Sequence, residues 1–209
     1  MAKTIHQLKV TLRHVKPPVW RRILVESEVS LAELSAVLVG AMGWMDTHLH
    51  LFEVGDRQYG VPDPDWGLDV LDEERFVLDQ VLPKVGTKMR WDYDFGDGWE
   101  HDVRLEAITL PKGSVKYPVC LAGRRACPPE DCGGPWGYAD LLDAMRNPDH
   151  PEREELMEWL APGFDPNHFD REETEQAMHF SLLPGGWVWS EPTGLDDRGN
   201  GNDGNPRGG

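Results

Sequence analysis

The chain has 209 residues, of which 39% are hydrophobic, and a net charge of −16. This length suits one domain with its own core, and this charge excludes strong non-specific binding to nucleic-acid phosphates. The longest nearly apolar run, 36–45, is too short to span a membrane, and neither the N-terminus nor the three cysteines indicate secretion or a disulfide framework. We therefore expect a cytoplasmic protein with free thiols and no membrane association.

The first 25 residues predict two basic strands. Apolar and polar side chains alternate over 5–15, as in a half-buried strand, and VWRRILV at 19–25 predicts a second strand after two prolines. This segment contains six Lys or Arg residues and no acid, so it carries a charge of +6. The pattern is typical of solvated strand faces, and it also leaves a local contact with DNA open.

A helix and a third strand are predicted next. The sequence SLAE at 30–33 is a capping-box pattern, and the apolar residues after it keep helical spacing as far as Gly43. HLHLFEV at 48–54 returns to the pattern of a strand. Its histidines, His48 and His50, would lie on one face at a spacing that can chelate a metal ion, although such pairs also occur without one.

The clearest hairpin joins 89–95 to 99–105 around the Gly-Asp-Gly turn at 96–98. Alternation places its aromatic and apolar side chains on one face, which we expect to point into the core. The predicted register sets Tyr93 opposite His101. His101 is predicted to be a core histidine that is hydrogen-bonded to a neighbour.

The other face of this hairpin is acidic. In the predicted register Asp94 opposes Glu100, and Asp92 opposes Asp102. Like charges directly opposite each other destabilise a ribbon by up to about 1 kcal/mol per pair, so these acids need a counter-charge. Two arginines further along the same strands could supply it. The alternative is an external cation, either a divalent metal or a Lys or Arg of a partner.

Cys127 and Cys132 lie within 111–135, a Pro- and Gly-rich segment that is predicted to be irregular. Their spacing is compatible with zinc, but the chain has no second cysteine pair, so His48 and His50 would have to complete the site. Buried or idle thiols are the other interpretation. Four charged residues of the segment could form an ion-pair cluster or bind an anion: Arg124, Arg125, Glu130 and Asp131.

The second half of the chain is predicted to be helical. Apolar residues recur at helical spacing over 138–145, from Pro151 onward and over 165–180. Strands followed by helices predict an α+β fold, with an antiparallel sheet covered by helices and a mostly helical C-terminal half. We expect one domain over 1–183 and a flexible Gly/Asn/Asp-rich tail over 184–209, which lacks the apolar content to fold.

Common catalytic signatures are absent. The chain has no GxxxxGK phosphate loop, no G-x-S-x-G nucleophile elbow and no HExxH motif. Whether the protein is an enzyme is therefore left open by the sequence. The catalytic alternative is metal-assisted hydrolysis by the paired histidines together with Asp94, Asp97 and His101, in which a metal-bound water attacks the substrate.

Three segments together resemble a known family. They are KPPVWRRILV with AMGWMDTHLHLF downstream, YDFGDGWEH, and YPVCLAGRRACPPEDCGGPWGY. The combination resembles the plasmid pRiA4b ORF-3-like family, also labelled insertion-element passenger or TnpR-type proteins, over about 5–180. The resemblance implies an α+β fold and a link to mobile elements, and it carries over no catalytic roles. The resolvase activity that the TnpR label names is not supported, because this acidic chain has no evident serine-recombinase module.

We predict an accessory protein of mobile elements that acts as a non-catalytic binding module. Its cleft is expected where the WRR strand, the HLH strand, the end of the acidic hairpin and the PPEDCGG loop meet. The partner is a protein or a small molecule, and a divalent metal is the cofactor considered. The candidate binding residues are Trp20, Arg21, Arg22, His48, His50, Asp94, Asp97, Trp99, Glu100, His101, Arg124, Arg125, Glu130 and Asp131. The candidate metal ligands are His48, His50, Cys127 and Cys132.

Overall fold

The computed structural model describes residues 3–63 and 69–184, which form one eight-stranded sheet with helices beside it. The strands are β1 (Ile5–Leu12), β2 (Trp20–Glu26), β3 (His50–Val54), β4 (Arg57–Gly60), β5 (Leu71–Asp72), β6 (Lys88–Tyr93), β7 (Trp99–Thr109) and β8 (Val119–Arg124). The helices are α1 (Leu31–Met42), α2 (Leu78–Val81), α3 (Gly134–Arg146), α4 (Arg153–Trp159) and α5 (Arg171–Ser181), and a 3-10 helix, Glu73–Arg75, precedes α2. Apart from Pro184, the tail predicted over 184–209 lies outside the described residues.

The sheet is mixed, so the prediction of an antiparallel sheet is wrong. Its strand order is β5–β4–β3–β6–β7–β1–β2–β8, and β5 runs parallel to its neighbour β4. The other neighbouring pairs are antiparallel. β5 has only two residues, which is too short to show any periodic pattern in the sequence.

The C-terminal half is not mostly helical, which also corrects the prediction. The strand β8 lies inside 111–135, the segment predicted to be irregular, and it pairs with β2 at one edge of the sheet. Pro118 precedes its six residues and Gly123 lies within them, which concealed the strand. Helices are present near the three predicted positions, and α4 begins at Arg153 rather than at Pro151.

The predicted first strand and first helix are confirmed. In β1, buried residues such as Leu8 and Val10 alternate with half-buried ones. Ser30 Oγ accepts a hydrogen bond from the Glu33 amide at 3.1 Å, and the Glu33 carboxylate accepts one from the Ser30 amide at 2.8 Å. This capping box starts α1, and Gly43 ends it in the left-handed conformation with a φ of 79°.

The hairpin of β6 and β7 has the predicted faces but a different register. Asp92 pairs with Glu100 and Arg90 with Asp102, so the partners are shifted by two positions from the prediction. A shift of two keeps every side chain on its face, and the aromatic face is buried as predicted. The predicted opposition of Asp92 to Asp102 is wrong, and Arg90 Nε donates to Asp92 Oδ2 at 3.0 Å, which supplies counter-charge from within.

Asp94 leaves the strand and lengthens the turn to five residues, 94–98. It has a φ of 55°, and its Oδ1 accepts hydrogen bonds from the Gly96 and Asp97 amides at 3.0 and 3.2 Å. Short polar side chains tolerate this left-handed conformation because they can bond to the backbone of the turn. The predicted opposition of Asp94 to Glu100 is therefore wrong.

An aromatic cluster fills the core beneath this turn. Trp44, which follows α1, stacks on Tyr93 with ring centroids 5.0 Å apart and an interplanar angle of 10°. The buried rings of Trp91 and Trp99 lie beside it. Trp44 Nε1 donates a hydrogen bond to the Pro128 carbonyl at 2.9 Å. Trp44 thus ties the segment after α1 to the hairpin and to the loop before α3.

The helices α1 and α5 approach each other closely. A Cβ added to Gly40 would lie 2.7 Å from the Ala177 carbonyl oxygen, so only glycine allows this approach. Glu175 of α5 accepts a hydrogen bond from the Cys120 amide at 3.0 Å, which pairs part of the outer edge of β8. Within 3–63 and 69–184, none of the helices combines the length and apolar content that a membrane span requires.

Candidate functional site

Three connecting segments meet at one end of the sheet, and we call this region the three-loop site. They are 44–49 before β3, the turn 94–98, and 128–133 before α3. The Asp94 amide donates to the Leu49 carbonyl at 2.9 Å, which joins the first segment to the second. The Gly133 amide donates to Asp97 Oδ2 at 3.2 Å, which joins the second to the third.

His48 lies between two carboxylates in this site. Its Nδ1 is 3.6 Å from Asp94 Oδ2, and its Nε2 is 3.4 Å from Asp131 Oδ1. Within the described parts of the chain, these three residues form a group whose candidate ligand atoms all lie within 4.8 Å of one another. Such a group is compact enough to bind one metal ion.

The members of this group differ in how firmly they are placed. Asp94 is buried, and its Oδ1 holds the turn, so its Oδ2 is the oxygen that faces His48. The His48 ring packs edge-on against Tyr93, with centroids 5.7 Å apart. The Asp131 side chain is 73% exposed, so it can adjust to a bound ion. Two of the candidate ligands are thus held in place, and the third is adaptable.

Tyr93 and Glu130 connect the loops behind the His48 group. The Tyr93 hydroxyl donates to Glu130 Oε1 at 2.8 Å and accepts from the Thr47 amide at 3.2 Å. Glu130 Oε2 accepts from the Met45 amide at 3.1 Å. Burial and then the Glu130 carboxylate raise the pKa of Tyr93 well above its usual value, so its hydroxyl keeps its proton. Sequence reasoning missed this role and assigned Tyr93 only to the aromatic face.

His50 belongs to a different group from His48. Its Nε2 lies 2.8 and 3.0 Å from the two carboxylate oxygens of Glu73, a residue that is 3% exposed. The two histidines predicted to share one metal therefore face different acids. Glu73 was missed because it stands in an acidic segment, DEER, that has no informative pattern.

The cysteines have environments of their own. The Cys127 thiol accepts a hydrogen bond from Arg21 Nη2 at 3.3 Å and lies 3.2 Å from Met42 Sδ. Burial raises the pKa of Cys127, and burial followed by the nearby Asp97 raises that of Cys132 to about 12. Since the thiolate is the form that binds metals, neither environment favours coordination. The structure does not bring the two cysteines into the His48 group.

Arg21 lies on the buried face of β2, where backbone carbonyls surround its guanidinium. Its Nε donates to the Ala41 carbonyl at 3.0 Å, and its Nη1 donates to those of Trp20 and Arg124 at 3.0 and 3.2 Å. With the bond to Cys127, this side chain links the WRR strand to the segment before the PPEDCGG loop.

Trp20 and Arg22 point to the opposite face of the sheet. Arg22 Nε donates to Glu106 Oε2 at 2.6 Å, and this bond lowers the pKa of Glu106 to about 2. The ammonium of Lys9 lies 5.2 Å from the Trp20 ring centroid. Of the three WRR residues, Arg21 contacts the segment before the PPEDCGG loop, whereas Trp20 and Arg22 lie on the other face.

The cations of the N-terminal strands are largely paired with acids. Ion pairs join Lys3 to Glu26, Arg13 to Glu100 and Arg22 to Glu106, at 3.6, 2.6 and 2.6 Å. Arg21 is buried. The local charge of +6 read from residues 1–25 is thus offset by acids from the neighbouring β7 and from the end of β2.

The remaining candidate residues take structural positions. Trp99 and His101 are buried, and His101 Nδ1 donates to the Trp91 carbonyl at 3.1 Å, which confirms its interpretation as a core histidine. Arg124 is exposed. Arg125, with a φ of 69°, donates to Asn167 Oδ1 rather than to the acids near it in sequence.

Fold and site together define a class of protein: an open mixed sheet with a histidine–carboxylate group where three loops meet. The chain belongs to the plasmid pRiA4b ORF-3-like protein family, whose model matches residues 4–173. This match confirms the family resemblance and does not extend to the insertion-element and TnpR labels.

Two relatives show how far the similarity reaches. The chain is 41% identical over 160 residues to the uncharacterized protein y4hQ of Sinorhizobium fredii, covering 76% of this chain and 82% of y4hQ. It is also similar to the crystal structure of MM3350, a protein of unknown function from Methanosarcina mazei Go1. That match has a TM-score of 0.75 and 33% identity, and it covers 83% of this chain and 98% of MM3350.

Proposed function

We propose that this protein is a metal-dependent binding module in which His48, Asp94 and Asp131 hold one divalent transition-metal ion. The observation that carries the proposal is the His48 ring between two carboxylates, at 3.6 Å from Asp94 and 3.4 Å from Asp131. One imidazole and two carboxylates suit Zn²⁺, Mn²⁺ or Fe²⁺. Three protein ligands leave a coordination position open for a group of the bound partner.

The unpaired ring nitrogen of His48 supports this assignment. His48 Nε2 is buried and makes no hydrogen bond within the described residues, although it faces Asp131. It is one of five buried side-chain atoms without a partner among the described residues, and each such atom costs free energy. A metal ion bound to Nε2 would give this atom a partner.

Binding fits the site better than hydrolysis does. A hydrolase needs a base that is free to take a proton from the metal-bound water. Glu130 already accepts hydrogen bonds on both of its oxygens, and Asp94 uses Oδ1 to hold the turn. Asp97 is engaged through Oδ2 with the Gly133 amide. The nearby acids therefore act as supports or ligands, and metal-assisted hydrolysis is the weaker alternative.

Local contact with DNA through the N-terminal strands is disfavoured. Their arginines are paired with Glu100 and Glu106 or are buried, so few cations remain for phosphates. We expect no binding of duplex DNA at low salt, measured by fluorescence polarisation. A salt-dependent isotherm would restore this alternative. An accessory role in a mobile element is compatible with a binding module and requires no DNA chemistry by this chain.

The metal site is tested by calorimetric titration of the full-length, chelator-treated chain with Zn²⁺ and with Mn²⁺. We expect one ion per chain for wild type and at least about tenfold weaker binding for Asp131→Asn, since one ligand charge is lost. Asp131 is exposed, so this variant should fold normally. Asp102→Asn, which changes an exposed acid on β7, is the matched control and should bind as wild type does.

A second pair of variants separates the two histidines. His48→Ala should abolish specific binding, whereas His50→Gln, which can still hydrogen-bond to Glu73, should keep it. Absence of binding by wild type, or equal affinity in wild type, His48→Ala and Asp131→Asn, would overturn the proposal. Metal-dependent turnover of a model ester that is lost in Asp131→Asn would instead favour the hydrolase.

A further inference from the structure

A cavity lies beside the three-loop site, between the β1–β2 connection, the turn 94–98 and the first turn of α3. It is an open groove of about 580 Å³. Its walls carry His14 and Lys16 on one side, Asp97 and Glu100 on another, and the Trp136 indole on the third. Aromatic and convergent polar groups around one cavity are typical of ligand sites.

Trp136 is the most unusual residue of this groove. Its exposed fraction is 87%, whereas Trp44, Trp91 and Trp99 are buried. Tryptophan has a large apolar surface, and it is enriched among the residues that contribute most to binding. Because Trp136 does not contribute to the core, its exposure points to a role in binding a ligand.

The charges of the groove balance one another. Glu100 is already paired with Arg13 at 2.6 Å, which leaves Lys16 and Asp97 as one cation and one anion. The chain as a whole carries −16. A groove without net charge in so acidic a protein favours neither an anion nor a cation. The start of α3 adds no anion site, since Asp97 already occupies its Gly133 amide.

The polar groups of the groove fit hydroxyl groups. Asp97 and Glu100 only accept hydrogen bonds, Lys16 only donates, and the His14 ring, whose Nε2 lies 3.6 Å from Glu100 Oε2, adds a further polar group. A ligand that satisfies all of them must donate and accept, as each sugar hydroxyl does. The flat C–H face of a pyranose ring also packs well on an exposed indole. We infer that the groove binds a neutral carbohydrate, with a sugar ring on Trp136.

This inference goes beyond the proposed metal site and does not depend on it. The turn 94–98 is held by Asp94 Oδ1, which leaves Oδ2 for the metal. Asp97 and Glu100 are outside the His48 group. Carbohydrate binding should therefore persist in the presence of a chelator, so failure of one proposal leaves the other intact.

The test is an array of neutral and charged oligosaccharides probed with the full-length chain in chelator, followed by calorimetry on the best-bound neutral glycan. We expect Trp136→Ala to weaken that binding at least about tenfold and Trp136→Phe to retain part of it, because phenylalanine keeps an aromatic face. Trp159→Ala is the matched control, since Trp159 is an exposed tryptophan that lines a different cavity with Leu141 and Leu156.

Trp136 is exposed, so its replacement should leave the unfolding midpoint unchanged. The inference is overturned if wild type binds no neutral glycan on the array. It is equally overturned if Trp136→Ala and wild type bind the best glycan with the same affinity, or if only charged glycans bind.

Discussion

Asp94 uses its two carboxylate oxygens for different purposes. Oδ1 accepts two backbone hydrogen bonds and holds a turn in which Asp94 itself has a φ of 55°. Oδ2 faces His48 at 3.6 Å. Structure and proposed metal binding thus depend on the same side chain, and they can be separated by a substitution that preserves one oxygen.

Asp94→Asn should keep the fold and impair the metal site. Its amide oxygen can still accept from Gly96 and Asp97, so the free energy of unfolding should change by less than about 0.5 kcal/mol, while metal affinity falls at least about tenfold. Asp94→Ala loses the turn bonds as well and should cost about 1–2 kcal/mol, because alanine is strained at this φ. Urea unfolding and calorimetry measure the two effects, and equal stability of both variants would contradict this account.

Tyr93→Phe tests the contact between Tyr93 and Glu130. The variant keeps the ring stacked on Trp44 but loses the hydroxyl that bonds Glu130 and the Thr47 amide. We expect a loss of about 1–2 kcal/mol of stability and about tenfold in metal affinity, because the loop that carries His48 is less well held. An unchanged affinity would show that this contact does not position His48. Tyr117→Phe is the control, because it removes a hydroxyl that accepts a hydrogen bond from the Lys112 amide outside the three-loop site.

At the scale of elements, two glycines that both have a left-handed backbone conformation give a matched comparison. Gly43 has a φ of 79° with open space around it, and Gly134 has a φ of 68° with the Asp97 carbonyl oxygen 2.2 Å from an added Cβ. Gly43→Ala should cost about 1 kcal/mol, which is the backbone strain alone. Gly134→Ala should cost at least about 2 kcal/mol more, since its Cβ would push the turn 94–98 away from the start of α3. Similar losses of unfolding free energy for the two variants, measured in urea, would contradict the close approach of Gly134 to Asp97.

The hairpin shows what the sequence could predict and what it could not. Alternation determines which face a side chain takes, and that face is the same for any register shifted by two. The aromatic side was therefore predicted correctly while each partner was wrong. The register is decided by Asp94, whose left-handed conformation ends β6 at Tyr93 and makes a five-residue turn. Nothing in the local pattern distinguishes that turn from a three-residue one.

The candidate site was predictable only in its parts. His48, Asp94 and Asp131 were each named from the sequence, but their grouping depends on contacts between segments far apart in the chain. The pairing of His50 with Glu73 depends in the same way on a loop without periodicity. Trp136 was missed because a tryptophan near the start of a helix is usually assigned to the core, and its exposure becomes visible only in three dimensions.

For the whole molecule, two buried histidines predict acid sensitivity. Burial lowers the pKa of His6, and it lowers that of His101 to about 3. An unfolded histidine takes up its proton near about pH 6.5, while burial keeps the His101 ring neutral in the folded protein and disfavours protonation of His6. The unfolded state then binds more protons, so the free energy of unfolding falls as the pH drops below about 6.5, by up to about 1.4 kcal/mol per pH unit for each ring.

Urea unfolding at about pH 7.5 and about pH 5 measures this loss, and a lower midpoint is expected at the lower pH. Proton NMR identifies the groups: the ring of His101 should not titrate in this range. The exposed His168 is the internal comparison, because its hydrogen bond to Glu173 raises its pKa. A His101 titration near the usual value would contradict the prediction.

The residues of the proposed metal site come from three stretches of chain that are distant in sequence: before β3, after β6 and before α3. No short peptide from this protein can present all three, so an ion bound there would link segments that only the folded chain brings together. Its binding free energy would add to the resistance of the molecule to global opening. Amide exchange in the three stretches should then slow together, and by the same factor, when the ion is added.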